Sequence, residues 1–254
     1  MTTESLRYGW SLTPWHTAIP VSVLGIVAYQ EGNLKEAFRQ LSDSLAAWRT
    51  VGDPRGLVFC MLYLGMTALA LNDTATTRSV IQESNTIAEA KMDRWAHAFG
   101  LDLLGMVCLA EGQNEEALDY FQHSLEHYRQ IGDTLNSTQT LIHLGQAYTA
   151  LECLDDAKRL YVEAYATALQ AGWIPIILVA LVAFIEMEKS LAPQTKLAIA
   201  LSVLAHPSVT PNLRARSERM RDEIRSRLAP ERIEAAQELA GEKTAESWAE
   251  EIIT

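Results

Sequence analysis

Three short groups of residues in this chain have types and spacings that chemistry could use. The first is a pair of histidines, His123 and His127, which stand one helical turn apart with Glu126 between them. Both imidazoles would therefore face the same side of a helix, a spacing that can bind a metal ion. The His-Glu-x-x-His order of a zinc protease is absent. A solvated surface pair is the favoured interpretation, and we predict no metal site.

The second group is a run of six arginines between Arg214 and Arg227. Glu218, Asp222 and Glu223 are interspersed among them, which is typical of a helix whose surface carries ion pairs. The net charge of the chain is −11, and binding to a phosphate backbone depends on an excess of Lys and Arg. The run therefore predicts a salt-bridged surface helix rather than a nucleic-acid site.

The third group, Gly241 to Thr244, resembles a phosphate-binding loop only superficially. Glu242 separates the glycine from Lys243, and no strand pattern precedes the segment. We therefore predict no nucleotide site and no other cofactor. Neither a nucleophile with its base nor a pair of carboxylates is visible, so the chain is not predicted to be an enzyme. An enzyme built on helical repeats is the alternative from a different functional class.

The elements that must position these side chains are indicated by a repeat. The dipeptide Leu-Gly occurs every 40 residues without slippage, at positions 24–25, 64–65, 104–105 and 144–145. A fixed period of this size predicts stacked copies of one supersecondary unit, each of which buries its apolar face against its neighbours.

Other positions of the repeat predict two helices and two turns in each unit. Ala or Thr stands twelve residues after each glycine, and a large apolar residue and then a small one follow at helical spacing. Gly or Asn ends the first helix in three units, whereas Glu152 takes this place in the fourth. Asp53, Asp93 and Asp133 are predicted to cap the helices that follow the second turn. No strand pattern competes with this interpretation.

These positions resemble the tetratricopeptide repeat over roughly residues 18–172, with a decayed fifth unit to about residue 205. The usual unit has about 34 residues. The longer period, and the missing proline at the end of the second helix, are similar to the long-helix variant of kinesin light chains and bacterial signalling regulators. The resemblance implies an all-α fold, a right-handed superhelical array of antiparallel helix pairs with C-terminal capping helices.

The resemblance also implies a binding face, because the first helix of each tetratricopeptide pair lines the inner, concave surface. Its aromatic and methionine side chains would suit an apolar or amphipathic segment. Packing between the helices is the alternative for Phe59, Trp95 and Phe99. Ser22, Leu62, Ile142 and Val182 are counted onto the same face. The candidate binding residues are Trp15, Ile19, Tyr29, Arg55, Phe59, Met66, Trp95, Phe99, Asp102, Met106, Gln139 and Gln146.

The repeat pattern stops beyond His206-Pro207, where we expect a helical cap. Helices are predicted near 213–228, near 230–240 with Gly241 ending the helix, and through Ile252 with Thr244 as the N-cap. The predicted division is an N-terminal segment at 1–17, the repeat array at 18–205 and the cap at 206–254.

Repeats followed by such a tail resemble the C-terminal end of bacterial multidomain regulators, either STAND NTPases or transcription activators. The resemblance implies a non-catalytic sensor module in a bacterial signalling or transcriptional regulator. Its partners would be a protein, a peptide, a small effector or upstream domains of the same polypeptide. A free-standing scaffold for complex assembly is the alternative. The Lys and Asn that hold a terminal carboxylate in chaperone-binding members are absent from the matching positions.

Composition limits the setting in which the chain works. The chain is 48% hydrophobic and 21% charged, which is ample for a folded interior. Its longest apolar stretch is about 13 residues and contains Pro175, too short to span a bilayer. Cys60, Cys108 and Cys153 lie in apolar segments and are predicted to be reduced core residues of a cytoplasmic protein. Trp10 and Trp15 at an uncapped first repeat favour a homo-oligomer.

Overall fold

The computed structural model describes residues 14–253, so Trp10 and most of the predicted N-terminal segment 1–17 lie outside the described residues. This part of the chain consists of helices joined by turns, and no strand occurs in it. The all-α prediction is confirmed. The helices are α1 Pro14–Gln30, α2 Leu34–Val51, α3 Pro54–Ala70, α4 Thr74–Ala90, α5 Arg94–Ala110, α6 Asn114–Ile131, α7 Thr134–Ala150, α8 Leu154–Ala171, α9 Ile174–Met187, α10 Pro193–Ala205, α11 Pro211–Arg225, α12 Pro230–Glu242 and α13 Ala245–Ile253.

The chain forms two compact units, Met1–Val107 and Cys108–Thr254. In the first unit α1 packs along α2, α3 packs along α4, and α2 also packs on α3. In the second unit α7 packs on both α6 and α8, and α8 packs on α9. Turns of two or three residues join these helices, which forces consecutive helices to run in opposite directions. Both units are therefore built from antiparallel helix pairs, as predicted.

A left-handed residue occurs every 20 residues in the turns from α1 to α9. Five of the eight are glycines, which adopt this conformation without a steric penalty. Glu152, the residue that departs from the Gly/Asn pattern, keeps the conformation with a φ of 60°. The left-handed conformation therefore recurs in every turn, whereas the residue type that adopts it changes. The eight residues are Gly32, Gly52, Asn72, Met92, Gly112, Gly132, Glu152 and Gly172.

The three predicted aspartate caps are confirmed. Asp53 accepts a hydrogen bond from the backbone N–H of Gly56 at 3.1 Å. Asp93 and Asp133 accept equivalent bonds from the residues three positions on, at 3.1 and 3.0 Å. Each bond satisfies a backbone donor that the first turn of a helix leaves without an intrahelical partner.

The glycines of three Leu-Gly pairs, Gly25, Gly65 and Gly145, lie against a large side chain of the second helix. A Cβ on Gly145 would stand 2.6 Å from Cε1 of Tyr161, closer than real Cβ atoms approach other atoms. A Cβ on Gly25 would stand 2.7 Å from Leu41, and one on Gly65 would stand 2.6 Å from Ile81. All three large side chains are fully buried. The repeated glycine therefore permits the close approach of the two helices in a pair.

The C-terminal helices pack on the last helix pair of the second unit. α11 and α12 pack on α10, and α13 packs on α8, α9 and α10 through the buried side chains of Trp248 and Ile253. His206 Nε2 lies 2.9 Å from Glu246 Oε1, which ties the end of α10 to the start of α13. Thr244 accepts from the backbone N–H of Ser247 at 3.2 Å, so its predicted cap is confirmed.

Two predictions about individual residues, Gly241 and Cys153, are wrong. Gly241 does not end α12, because it lies inside the helix and the extended backbone begins only at Lys243. Cys153 is not a core residue, because it occupies the exposed turn before α8 rather than a helix interior. Cys60 and Cys108 are buried, and burial raises the pKa of the Cys60 thiol to about 11.

Among residues 14–253, no helix combines the length and the hydropathy that crossing a membrane would require.

Replacing Met92 by Gly should stabilise the chain. Met92 is 86% exposed and holds a φ of 54°, a conformation that costs a side-chain-bearing residue on the order of 1 kcal/mol. We expect the free energy of unfolding to rise by about 0.5–1 kcal/mol in urea titrations. Gly132→Ala is the matched control, since its φ is 72° and nothing lies within 4 Å of the added Cβ. It should lower the stability, and a rise would contradict the argument from backbone strain.

Gly145→Ala should destabilise the chain by about 1–3 kcal/mol, because the buried Tyr161 ring must move to admit the Cβ. Gly241→Ala provides the comparison, since Gly241 is also helical but has nothing within 4 Å of an added Cβ. That variant should be neutral or slightly more stable, because Ala favours a helix over Gly. Thermal unfolding of both variants measures the difference, and equal effects would rule out close packing at Gly145.

Candidate binding surface

The predicted binding residues lie on the first helices of the pairs, and none of them is fully buried. In the second unit Gln139 is exposed and Gln146 is half-buried. In the first unit the exposed residues are Trp15, Ile19, Arg55, Phe59 and Trp95, and the half-buried ones are Tyr29, Met66, Phe99, Asp102 and Met106. The candidate surface of each unit is thus accessible at these positions.

Four further positions counted onto the same face are buried instead. Ser22 is 5% exposed, and Leu62, Ile142 and Val182 each have no more than 1% of their surface exposed. Their inclusion on the binding face was wrong, because these side chains turn toward the helix interfaces. Leu62 is one helical turn from Phe59, which is exposed. The boundary between packing and accessible surface therefore lies between neighbouring turns of one helix.

The exposed aromatic residues of the first unit occur in close ring pairs. Phe59 and Tyr63 are four residues apart on α3, and their ring centroids are 4.9 Å apart. Trp95 and Phe99 have the same spacing on α5, with centroids 5.4 Å apart. Residues four apart on a helix lie above one another, so each pair presents a broad aromatic patch.

Trp15 stands on a buried polar network at the start of the first unit. Its ring meets the edge of Trp48, with centroids 5.1 Å apart. The indole N–H of Trp48 donates to Ser22 Oγ at 3.0 Å, and Ser22 Oγ lies 2.5 Å from Ser44 Oγ. Ser44 Oγ in turn donates to the carbonyl of Ala18 at 2.9 Å. These bonds hold the Trp48 ring in place, so the position of Trp15 is set by the core beneath it.

In the second unit an arginine from the C-terminal region reaches the candidate surface. Arg216 on α11 forms a two-pronged ion pair with Glu186 on α9, with Nε 2.9 Å from Oε1. When the Gln146 side-chain amide is oriented with its oxygen toward Arg216, this oxygen accepts from the two terminal guanidinium nitrogens at 2.8 and 3.1 Å. Burial opposes the charge of Arg216, but the hydrogen bonds to Glu186 outweigh this effect and raise its pKa.

Sequence reasoning missed the role of Arg216. The arginine run was interpreted as a surface helix with local ion pairs, and Arg227 does pair locally with Glu223 at 3.0 Å. Arg216 instead pairs with a residue 30 positions away. No local signal distinguishes it from the other arginines of the run, because the distinction depends on how α11 packs.

Near this cluster, Tyr161 is buried on α8 with its hydroxyl 3.1 Å from Thr149 Oγ1. Burial raises the pKa of Tyr161 to about 12, so the phenol stays neutral and its hydroxyl is available as a hydrogen-bond donor. Thr149 Oγ1 donates to the carbonyl of Gly145 at 2.8 Å and so accepts from Tyr161. The chain of bonds joins α7 and α8 next to the close contact at Gly145.

The sequence did not predict a cavity of about 710 Å³ in the second unit, which lies between α6 and α8 over α7. Leu125, Leu141 and Leu144 lie in its wall, and Arg129 pairs with Glu163 across it at 3.1 Å. In the first unit Arg49 pairs with Glu83 at 2.7 Å, in the equivalent position 80 residues earlier. The same ion pair therefore bridges second helices in both units.

The structure offers little support for the other chemical candidates. His123 is exposed and His127 half-buried on α6. Among residues 14–253, no group of three His, Cys, Asp or Glu side chains could hold a metal ion. Gly241 lies in a helix rather than in a loop that could surround a phosphate. The candidate that remains is the accessible face of the first helices.

Phe59→Ala and Leu62→Ala should separate surface from core on one helix. Leu62 is fully buried, so its truncation should cost about 2–5 kcal/mol of unfolding free energy. Phe59 is half-exposed and contacts Tyr63, so its truncation should cost less than about 1.5 kcal/mol. Chemical denaturation of the two variants measures both values. A cost at Phe59 as large as that at Leu62 would show that Phe59 is a packing residue.

Comparison with known proteins identifies the repeat. Residues 97–170 match the family model of the tetratricopeptide repeat. No curated protein sequence matches this chain. The fold is similar to that of the Rap conjugation gene regulator of plasmid pLS20 in complex with the Phr* peptide, at 14% identity and a TM-score of 0.64, over 88% of this chain and 67% of that one.

Two further solved structures have similar folds. A putative kinesin light chain of Podosopora anserina with TPR-like repeats matches 85% of this chain and 95% of its own, at 12% identity and a TM-score of 0.56. The STAND protein PH0952 of Pyrococcus horikoshii, which has a tetratricopeptide repeat sensor, matches 94% of this chain at 15% identity and a TM-score of 0.57. This chain spans only 38% of that protein. The matched family model identifies residues 97–170 as tetratricopeptide repeat, and the solved structures show that the chain has the helix-pair fold of such repeat arrays.

Proposed function

We propose that this chain is a non-catalytic binding module that holds a peptide or a segment of a partner protein on the first helices of its first unit. The observation that carries the proposal is the exposure of large aromatic side chains on the first helices of neighbouring pairs. Phe59 is 43% exposed and Trp95 is 37% exposed, each within a ring pair. Exposed aromatic patches on a folded surface are typical of sites where partners bind.

The side chains around these rings indicate the chemistry of the ligand. Met66 and Met106 are half-buried on the same face, and thioether side chains adapt to varied apolar partners. Arg55 and Asp102 add one charge of each sign. A segment that presents apolar side chains with a few polar groups between them would match this surface.

The folds to which this chain is similar support a regulatory setting. The pLS20 regulator was solved with a bound peptide, and the repeats of the Pyrococcus protein are described as a sensor. With this support, we propose that the chain senses a peptide or protein as a module of a cytoplasmic signalling or transcriptional regulator of bacteria. A scaffold that assembles complexes would use the same surface.

The proposal is tested by selecting peptides from a displayed random library with the wild-type chain. Affinities of the enriched peptides are then measured by fluorescence anisotropy for the wild type and for a variant that combines Trp95→Ala with Phe99→Ala. We expect the double variant to bind about 10- to 100-fold more weakly, because aromatic anchors at an interface contribute on the order of 1–2 kcal/mol each.

Leu169→Ala is the matched control, since Leu169 is also a large exposed apolar residue but lies on α8, a second helix. Its affinity for the selected peptides should equal that of the wild type. Unchanged binding by the double variant, or equal losses in both variants, would contradict the proposed site. Thermal unfolding of each variant checks that the fold is retained.

A further inference from the structure

Helix α1 carries an apolar stripe that borders the candidate binding face. Pro20, Val23, Leu24 and Val27, here called the α1 stripe, are all exposed. They are spaced so that they lie along one side of α1. The segment from 14 to 30 contains no Asp, Glu, Lys or Arg, so no formal charge interrupts the stripe.

The residues at the repeat positions of Pro20, Leu24 and Val27 are buried in the later first helices, and those at the position of Val23 are buried or half-buried. Leu24 is 55% exposed, whereas Leu64, Leu104 and Leu144 are 4%, 4% and 5% exposed. Val27 is 42% exposed, whereas the residues 40, 80 and 120 positions later are fully buried. These repeat positions are thus exposed on α1 and covered on the later first helices, and at the position of Leu24 the residue type is also the same.

The structure shows in both units what covers this side of a first helix. In the first unit Leu41, Leu45 and Trp48 of α2 form one buried cluster with the equivalent side of α3. The Cys60 thiol of α3, which corresponds to Pro20, donates to the carbonyl of Leu41 at 3.3 Å. In the second unit α6 packs on α7, and the ring of Phe121 lies 5.6 Å from that of His143. The cover in each case is the preceding second helix.

We propose that the α1 stripe is a docking surface for an amphipathic helix of a separate partner polypeptide. That helix would have the character of α2 and α6, which present large apolar residues at i, i+4 and i+7. In α2 these are Leu41, Leu45 and Trp48, and in α6 they are Phe121, Leu125 and Tyr128. The interface would continue outward the contact that α2 makes with α3.

A second copy of this chain is the less suitable occupant. It would set two first helices against each other through their stripes, whereas the stripe positions of α3 and α7 each meet a second helix. It would also bring together two chains that each carry a net charge of −11. A separate amphipathic helix provides the complementary side chains without this repulsion.

A peptide of residues 113–132 provides the probe, since it contains α6 and its terminal glycine. Its fluorescently labelled form is titrated with the full chain, and binding is followed by anisotropy. We expect saturable binding that weakens at least about tenfold when Phe121, Leu125 and Tyr128 of the peptide are replaced by Ser. It should weaken similarly when the chain carries Leu24→Asp or Val27→Asp.

Leu169→Asp is the matched control, because it adds the same charge at an exposed leucine on α8 and should leave the peptide affinity unchanged. Absence of binding up to about 1 mM peptide, or equal binding to the Leu24→Asp chain, overturns the proposal. Analytical ultracentrifugation of the chain alone tests whether a second copy of the chain occupies the stripe, because it measures the oligomeric state. A dimer that Leu24→Asp converts to a monomer would assign the stripe to a second copy and overturn the helix as its partner.

Discussion

The packing of one large side chain onto one glycine sets the geometry of a helix pair. Leu41 lies on Gly25, Ile81 on Gly65, and Tyr161 on Gly145, with no room for a Cβ in any of the three. Because each large side chain is itself buried, neither its position nor its rotamer is free to change. The contact therefore fixes both the distance between the two helices and the rotation of the first helix about its axis.

That rotation divides the first helix into sides with different roles. The glycine side meets the second helix of the same pair, and the next side meets the second helix of the preceding pair, as Cys60 and Leu64 do with α2. The remaining side reaches solvent, where Phe59 and Trp95 lie. The candidate binding surface is the side that contacts neither of these second helices. Its residues therefore differ from one repeat of this chain to the next without loss of the packing. The ring of Trp15 belongs to this side even though Trp48 of the core positions it.

Different parts of the fold were predictable to different degrees. The helix pairs, the left-handed turns and the aspartate caps follow from local rules, since each depends on residues within a few positions of one another. The errors have two causes. Leu62, Ile142 and Val182 were placed on the accessible face because a helical period cannot locate the edge of an interface to within one turn. Gly241 does not end α12 because it keeps a helical conformation rather than the left-handed one with which a glycine terminates a helix.

The sequence by itself determined the repeat unit and its register, because the 40-residue period relates residues whose roles are local to one helix pair. Only the tertiary structure decided which equivalent residues are covered. Leu24 and Leu64 occupy the same repeat position, yet Leu64 is buried in a cluster with α2 whereas Leu24 is 55% exposed. Arg216 and Arg227 belong to one arginine run, yet only Arg216 reaches Glu186 on α9. Burial and long-range pairing depend on the neighbours that packing brings near, and those neighbours are not encoded in the residue type at a single position.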